Sequence, residues 1–388
     1  MTDPSQKKEN ETLLKVPSSA RRTAETVPKE ISSKLPKDMR VHGLLAADLA
    51  LDRHDASRAQ KYAKWNAVVP TREDVWQSLP LTWDPRLRKY LPKTAADLLR
   101  KQEAKFNRDW ELVQQANLGG GDGDGGVEGK IISREDYLYA WLLVNTRSFY
   151  HETARSKKLP REDRMVLQPV ADLFNHSSDT PSTCRVNFSS SSRGDGGLFT
   201  VATSRAYKEG DEVYITYGNH GNDFLLTEYG FLLGQNQWDE VCLDEAMLPE
   251  LSAKQKDELD EAGFLGNYML DDRVVCYRTQ VALRRMVCPA YDWRMYLDGE
   301  EGDEAKQRDV QRKVDKKLID ILNKWVDERI TRTMEALQEG PDEDRSDGEG
   351  EEEGTQDQRD MLCLRWRQIR SLVARTVERL EEGLLDDQ

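Results

Sequence analysis

The sequence is poor in the residues that build metal centres and disulfide frameworks. Its five cysteines (184, 242, 276, 288 and 363) lie far apart without a C-x-x-C pair, and 388 residues contain only five histidines. This spacing argues against a disulfide framework and against a thiolate zinc site. The histidines are scattered as well, so we predict no metal ligands.

Long apolar runs are also missing. No stretch approaches the ~18 apolar residues that a membrane span needs. The N-terminus carries no apolar signal region. We therefore expect an intracellular protein, in the cytoplasm or the nucleus, without membrane association.

Acidic residues outnumber basic residues, 71 to 57. The formal net charge is −14, and no basic stripe with interleaved aromatic residues occurs. A nucleic-acid-binding surface is therefore not expected, whereas a partner or substrate that carries positive charge is easier to accommodate. Much of the negative charge lies in residues 339–360, which hold eleven acidic residues and two arginines. Because this segment has almost no apolar residues, we predict a disordered acidic loop.

The pattern along the chain predicts an α+β fold in two domains. Residues 1–10 are expected to be a polar tail, and "LLKVP" to be one short strand. Residues 42–150 are periodic and predicted to be mostly helical, with Ser133 and Asp136 in capping-box spacing before the helix "YLYAWLLVN". The segments "VNF", "LFTVAT" and "EVYITYG" are typical of short strands. From residue 236 onward, we predict an all-α domain.

A glycine-rich stretch, "NLGGGDGDGGVEG", matches the G-x-G-x-x-G pattern of dinucleotide-binding proteins. That pattern is informative only where it follows a strand and opens a helix. Here it follows a long helix, and further residues separate it from the next one. We therefore interpret residues 119–129 as a flexible loop.

The stretch "DLFNHSS" carries an asparagine and a histidine among hydroxyl and acidic side chains. It fits a glycosylation sequon, a metal ligand, a catalytic base, a small-molecule pocket or a hydrogen-bonded turn. Glycosylation is disfavoured because no signal region is present. A metal site is disfavoured because no further ligands lie at suitable spacing. A hydrolase triad is disfavoured because the G-x-S-x-G nucleophile motif is absent. The residues alone do not choose between the pocket and the turn.

The order of several motifs carries more information than each one alone. "VADLFNHSS" is followed some 40 residues later by "GDEVYITYGNHGNDFLLTEYGF". Together with "LLKVP", "HGLLAADLALDR", "YLPKTAADLLRKQ" and "DYLYAWLLVNTRSF", this pairing resembles the SET-domain protein methyltransferases. Within them, it is similar to the branch of the Rubisco large-subunit lysine methyltransferase. The resemblance implies a β-rich SET core at residues 11–235, interrupted by the helical insertion, and a helical substrate-binding domain at 236–388.

The resemblance also implies roles for single residues. Asn175 and His176 would lie in an S-adenosylmethionine pocket at a knot-like crossing of the chain, and Tyr217 would stand beside the methyl-transfer centre. Tyr229 and Phe231 would be aromatic residues near the cofactor. Two further residues, Arg147 and Asp172, are expected to line the substrate pocket.

The chemistry of methyl transfer explains these residue types. In this reaction a neutral amine attacks the methyl group of a sulfonium in an in-line displacement. The relative positions of the two reactants therefore dominate the rate. A free lysine has a pKa of ~10.4 and is almost entirely protonated at neutral pH. An aromatic channel lowers that pKa by desolvating the ammonium, and tyrosine faces attract a cationic sulfonium.

One departure from the family pattern affects the expected activity. The family places a Gly-x-Gly turn just upstream of the "LLKVP" strand, where glycine lets the backbone approach the cofactor. Here the first glycine of the sequence is Gly43. Either the chain is part of a longer protein or it has lost strong cofactor binding.

The expected function is protein-lysine N-methylation, with a ribosomal or translation protein as a possible substrate. A non-catalytic SET-like binding module and a histidine methyltransferase stay open as alternatives.

Overall fold

The computed structural model describes residues 7–52, 56–116, 118, 132–152, 156–189, 198–273, 275–300, 303–339 and 354–383. They form two compact units. The first unit contains described residues from 1–82, 99–220 and 228–230, and the second contains those from 83–98, 221–227 and 231–388. The units therefore alternate along the chain, whereas the sequence predicts a single boundary near residue 235. The predicted glycine-rich loop at 119–129 lies outside the described residues.

Helices account for most of the described chain. They are α1 Lys29–Ser32, α2 Val41–Asp52, α3 Ala56–Lys61, α4 Ala63–Asn66, α5 Arg72–Ser78, α6 Pro85–Arg88, α7 Lys93–Ala116, α8 Arg134–Arg147, α9 Asn222–Tyr229, α10 Asp244–Met247, α11 Ala253–Glu261, α12 Tyr277–Val287, α13 Ala290–Leu297, α14 Glu304–Trp325, α15 Arg332–Glu339 and α16 Gln356–Glu381. The strands are short. They are β1 Thr12–Val16, β2 Ser148–Tyr150, β3 Met165–Leu167, β4 Asn175–His176, β5 Arg185–Ser189, β6 Leu198–Ala202, β7 Tyr214–Ile215, β8 Glu240–Cys242 and β9 Met269–Asp271.

Helix α8 is the buried centre of the first unit. The Ser133 hydroxyl accepts a hydrogen bond from the Asp136 N–H, so that the predicted N-cap is confirmed. Every residue from 137 to 144 is buried, whereas the spacing of the apolar residues Tyr137, Ala140, Trp141 and Val144 in the sequence predicts that they share one face of the helix. The whole helix is enclosed because α2 packs along it and His42 stacks on Trp141 with ring centroids 4.1 Å apart.

The predicted strand at "LLKVP" is confirmed as β1, which pairs antiparallel with β6 in a sheet of order β1-β6-β5. Pairing continues upstream into the predicted polar tail. The Lys7 N–H donates to the Tyr207 carbonyl at 2.9 Å, and the Asn10 N–H donates to the Thr203 carbonyl at 3.0 Å. Residues 7–10 therefore belong to the strand layer, because their backbone groups can bond to the 203–207 segment whatever their side chains are.

Two segments distant in sequence lie side by side at the crossing that the resemblance implies. Strand β4 pairs parallel with β7, with Asn175 opposite Tyr214 and His176 opposite Ile215. The Ser177 N–H donates to the Ile215 carbonyl at 3.1 Å, which extends the contact beyond the two strands. The crossing therefore brings the "FNH" stretch next to the "ITYG" stretch.

The second unit is mainly helical, as predicted, but it also holds the two-stranded antiparallel sheet β8-β9. Strands of three residues are too short to give a clear alternation in the sequence. In the core of this unit, the buried Arg365 guanidinium bonds to the Asp223 carboxylate at 2.6 Å and to the Asp239 carboxylate at 2.7 Å. Between α14 and α15, residues Val326–Thr331 form a π-helical turn.

The disordered acidic loop predicted at residues 339–360 differs from the structure at the C-terminal end of this range. Residues 356–360 form the first turn of α16, where Thr355 and Gln358 form a capping box. This local capping outweighs the polar composition there, and residues 340–353 lie outside the described residues.

None of the described helices combines the length and the apolar composition that crossing a membrane requires.

Candidate active site

A cavity of about 220 Å³ in the first unit brings together four of the predicted site residues: Arg147, Asp172, Tyr217 and Tyr229. The end of α8 and strand β2 form one wall, to which β5 adds two apolar side chains. The remaining lining residues are Thr146, Ser148, Phe149, Tyr150, Val186, Phe188 and Thr216. The cavity is therefore rich in aromatic side chains and flanked by the ion pair of the half-buried Arg147 with the buried Asp172.

Tyr217 is held at both ends. Its phenol donates a hydrogen bond to the Phe174 carbonyl at 2.7 Å, and its backbone N–H donates to Nδ1 of His176 at 3.1 Å. Burial raises the pKa of the Tyr217 phenol to about 12, so that the group is a neutral hydroxyl at physiological pH. Because this hydroxyl donates its proton to Phe174, its oxygen can act toward a bound amine as an acceptor.

His176 is buried beneath Tyr217. The two rings stack with centroids 5.1 Å apart and an interplanar angle of 23°. Burial lowers the pKa of His176, and Nδ1 accepts a hydrogen bond, so that the neutral ring carries its proton on Nε2. The side chain thus supports Tyr217 and is poorly suited to be a base in the cavity.

Tyr229 forms the aromatic wall next to Tyr217, with ring centroids 5.0 Å apart and tilted by 38°. Burial raises the pKa of its phenol strongly, and the neighbouring Tyr217 and Glu228 act in the same direction. Both tyrosines therefore stay neutral and offer ring faces to a cation.

Arg147 and Asp172 form an ion pair at the other side of the cavity. Arg147 Nη1 donates to the Asp172 carbonyl at 2.8 Å and lies 3.3 Å from its Oδ2, which also accepts from Trp65 Nε1 at 2.8 Å. Desolvation raises the pKa of Asp172, while the hydrogen bond from Trp65 and the charge of Arg147 lower it.

Three buried polar atoms of cavity-lining residues have no hydrogen-bond partner among the described residues. They are Arg147 Nε, Ser148 Oγ and Asp172 Oδ1. Buried polar atoms are nearly always bonded to protein, water or ligand. A ligand that carries both hydrogen-bond donors and acceptors and a positively charged centre therefore fits this wall and the tyrosine faces opposite.

Two further predicted residues, Asn175 and Phe231, are not among the lining residues of this cavity. Asn175 is exposed on β4, where its side-chain amide donates to the Glu212 carboxylate at 2.8 Å. Phe231 belongs to the second unit, where its backbone N–H donates to the Leu225 carbonyl at 3.4 Å. Their roles toward a cofactor stay predictions.

Sequence reasoning did not select Ser148, Phe149 or Phe188, which the structure places in the cavity wall. The rings of Phe149 and Phe188 each pack edge-on against Phe199, with centroids 5.2 and 4.8 Å from it. Their positions within the "NTRSFY" and "VNF" stretches could have indicated a wall, because both lie directly beside predicted site or strand residues. Trp65 gave no such signal, since it lies 107 residues before its partner Asp172.

Comparison with known structures identifies the fold. The chain superposes on the crystal structure of the SET domain of LSMT bound to lysine and AdoHcy with a TM-score of 0.61 and 15% identity, covering 98% of this chain and 84% of that chain. The structure of Rubisco LSMT bound to sinefungin and monomethyllysine gives a TM-score of 0.57 at 16% identity, covering 99% and 88%. The chain is therefore a SET-fold protein. The predicted resemblance to the Rubisco large-subunit methyltransferase branch is confirmed.

Sequence comparison finds relatives named as lysine methyltransferases, although no protein-family model matches the chain. Ribosomal lysine N-methyltransferase set11 of Schizosaccharomyces pombe is 29% identical over 203 residues, which are 49% of this chain and 50% of that protein. Ribosomal lysine N-methyltransferase 2 of Saccharomyces cerevisiae is 24% identical over 311 residues, or 72% and 63%. Human SET domain-containing protein 4 is 28% identical over 207 residues, or 50% and 46%. The chain thus spans about half to somewhat under two thirds of the length of these relatives.

Proposed function

We propose that this chain is an S-adenosylmethionine-dependent protein-lysine N-methyltransferase whose reaction takes place in the cavity of Arg147, Asp172, Tyr217 and Tyr229. The observation that carries the proposal is the convergence of these four residues on one cavity rich in aromatic side chains beside a parallel crossing of the chain. A SET fold and relatives named as lysine methyltransferases support it.

The cavity residues suit the amine that reacts. The rings of Phe149, Tyr217 and Tyr229 line the cavity. A lysine ammonium that enters it would exchange water for these rings, and this desolvation lowers its pKa. The neutral Tyr217 oxygen accepts a hydrogen bond from the amine N–H and fixes the direction of its lone pair. Such alignment is worth several orders of magnitude in rate.

The same residues fit the methyl donor. When bound, S-adenosylmethionine supplies a methyl group on a sulfonium and leaves as the neutral thioether after transfer. The ring faces of Tyr217 and Tyr229 attract the sulfonium charge. The polar atoms of Arg147, Ser148 and Asp172 that lack partners among the described residues would bind complementary groups of the ligand.

A ribosomal protein is the proposed substrate class. Two of the relatives are named as ribosomal lysine N-methyltransferases, and the net charge of −14 favours a basic partner. Ribosomal proteins are rich in lysine and meet this condition.

The test is to incubate the purified chain with methyl-labelled S-adenosylmethionine and ribosomal proteins, and then to identify the labelled amino acid after hydrolysis. We expect methyl-lysine, and we expect its loss in Tyr217→Phe. Label found on histidine would show that the methylated residue of the substrate is histidine and not lysine. Absence of any label, with the cofactor bound, would support a non-catalytic binding protein.

A further inference from the structure

A hydrogen-bonded pair connects the two walls of the cavity from behind. The Asn145 amide on α8 donates to the Glu228 carboxylate at 2.9 Å and to the Glu228 backbone carbonyl at 3.1 Å. The amide of the buried Gln102 on α7 donates to the same carboxylate oxygen at 3.0 Å. Glu228 thus joins α7 and α8 to the C-terminal end of α9.

Each partner lies next to residues that line the cavity. Asn145 directly precedes Thr146, Arg147 and Ser148, which lead from α8 into β2. Glu228 directly precedes Tyr229, the last residue of α9. A change in the separation of Asn145 and Glu228 therefore changes the separation of the Ser148 wall from the Tyr229 wall.

The contact between Asn145 and Glu228 is suited to fix the distance between the Ser148 wall and the Tyr229 wall. Asn145 bonds to both the side chain and the main chain of Glu228, so that rotation of the Glu228 side chain alone does not release it. The bonds are also to a carboxylate, and bonds to charged groups are stronger than neutral ones. Both residues are half-buried, which limits competition from water.

We infer that Asn145 and Glu228 are positioning residues that hold Tyr229 opposite Arg147 and Ser148, and thereby set the alignment of the target amine. This inference rests on the proposed function for its catalytic consequence, whereas the positioning of Tyr229 can be measured without any activity. Neither residue is among the lining residues of the cavity, so their effect on the reaction passes through their neighbours, Tyr229 and residues 146–148.

The test compares Asn145→Ala and Glu228→Ala with Glu228→Gln. The glutamine keeps a carbonyl oxygen that accepts from both Asn145 and Gln102, so that it is the matched control. We expect the two alanine variants to lower kcat at least tenfold, since misplacement by about 1 Å can cost about a hundredfold. Glu228→Gln should retain kcat within about threefold.

A second readout does not depend on methyl transfer. In protein labelled with 3-fluorotyrosine, the Tyr229 resonance is assigned with Tyr229→Phe and followed by ¹⁹F NMR. We expect it to shift or broaden in both alanine variants and to stay in place in Glu228→Gln. If the wild type proves inactive, the proposed function fails, but this spectrum still decides whether the pair positions Tyr229.

Three results would overturn the inference. One is an unmoved Tyr229 resonance and an unchanged kcat in both alanine variants. Another is a Glu228→Gln protein as impaired as Glu228→Ala, since the charge and not the hydrogen bonds would then matter. The third is loss of cooperative folding in both alanine variants, which would assign the pair to stability alone.

Discussion

The backbone N–H of Tyr217 donates to the Nδ1 atom of His176, and the two rings stack face to face. This contact ties the segment that follows β7 to β4, with which β7 pairs in parallel. It requires the neutral form of His176 with the proton on Nε2, because a protonated ring has no acceptor at Nδ1.

His176 is therefore expected to act through Tyr217. His176→Asn retains an oxygen acceptor close to the Nδ1 position, whereas His176→Phe retains the ring stacking and loses the acceptor. We expect the phenylalanine variant to reduce the rate of methyl transfer about tenfold or more, because Tyr217 loses one of its two anchors, and the asparagine variant to be affected less. Single-turnover rates of both variants test this. Equal rates would show that the hydrogen bond does not position Tyr217.

Removing only the Tyr217 hydroxyl should have a larger effect. Tyr217→Phe is expected to lower methyl transfer by roughly 10²–10⁴, the effect of losing one positioned polar group, with cofactor affinity little changed. The matched control is Tyr214→Phe, because the exposed Tyr214 hydroxyl bonds to Glu212 at the surface. A rate within a few-fold of wild type in Tyr217→Phe would exclude the phenol from the reaction.

Asn175 offers a test of the predicted cofactor role. Its amide is exposed and bonds to Glu212, so that Asn175→Ala should leave the melting temperature and circular dichroism nearly unchanged. We expect this variant to lose S-adenosylmethionine binding in calorimetric titration. Glu212→Ala removes the same surface contact and should retain binding. Wild-type affinity in Asn175→Ala would exclude Asn175 from the cofactor pocket.

Stability should fall in mild acid because of His42. This ring stacks on Trp141 and its Nε2 donates to the Trp141 carbonyl at 3.0 Å; burial lowers the pKa of His42 to about 4. In the unfolded chain, His42 has a pKa near 6.5 and therefore binds a proton at a pH where the native His42 does not. The stabilisation is fully present above pH ~6.5 and is lost as the pH falls toward 4, by about 3 kcal/mol.

Urea unfolding between pH 7.5 and 4.5 measures this effect. His42→Gln keeps a donor for the Trp141 carbonyl and does not titrate, so that its stability should depend less on pH. Burial also lowers the pKa of His151, His176 and His220, and a smaller slope should therefore remain. An unchanged slope in His42→Gln would show that His42 is protonated in the native state.

Local signals in the sequence predicted the fold well where short-range interactions decide it. The Ser133 cap, the β1 strand and the long helices of the second unit follow from capping residues and periodicity. The burial of residues 137–144 on all sides did not follow, because it depends on the packing of α2 and α5 against α8. The Lys7–Asn10 pairing is likewise carried by backbone groups, which leave no mark on the sequence.

The candidate site was accessible mainly through the order of its motifs. Arg147, Asp172, Tyr217 and Tyr229 come from four separate segments, and the residues alone did not indicate that they share one cavity. Contacts such as Trp65 with Asp172 and Asn145 with Glu228 span 107 and 83 residues. Partners at such distances are set by tertiary packing, so that no local pattern reveals them.

The central claim is that the cavity between Arg147 and Tyr217 is where the methyl donor and the target amine meet. Ultraviolet cross-linking of methyl-labelled S-adenosylmethionine to the purified chain, followed by peptide mapping, tests it most directly. We predict that the label attaches to cavity residues such as Phe149, Tyr217 or Tyr229, and that excess S-adenosylhomocysteine prevents the attachment. Label confined to residues 236–383, or label that S-adenosylhomocysteine does not displace, would contradict the claim.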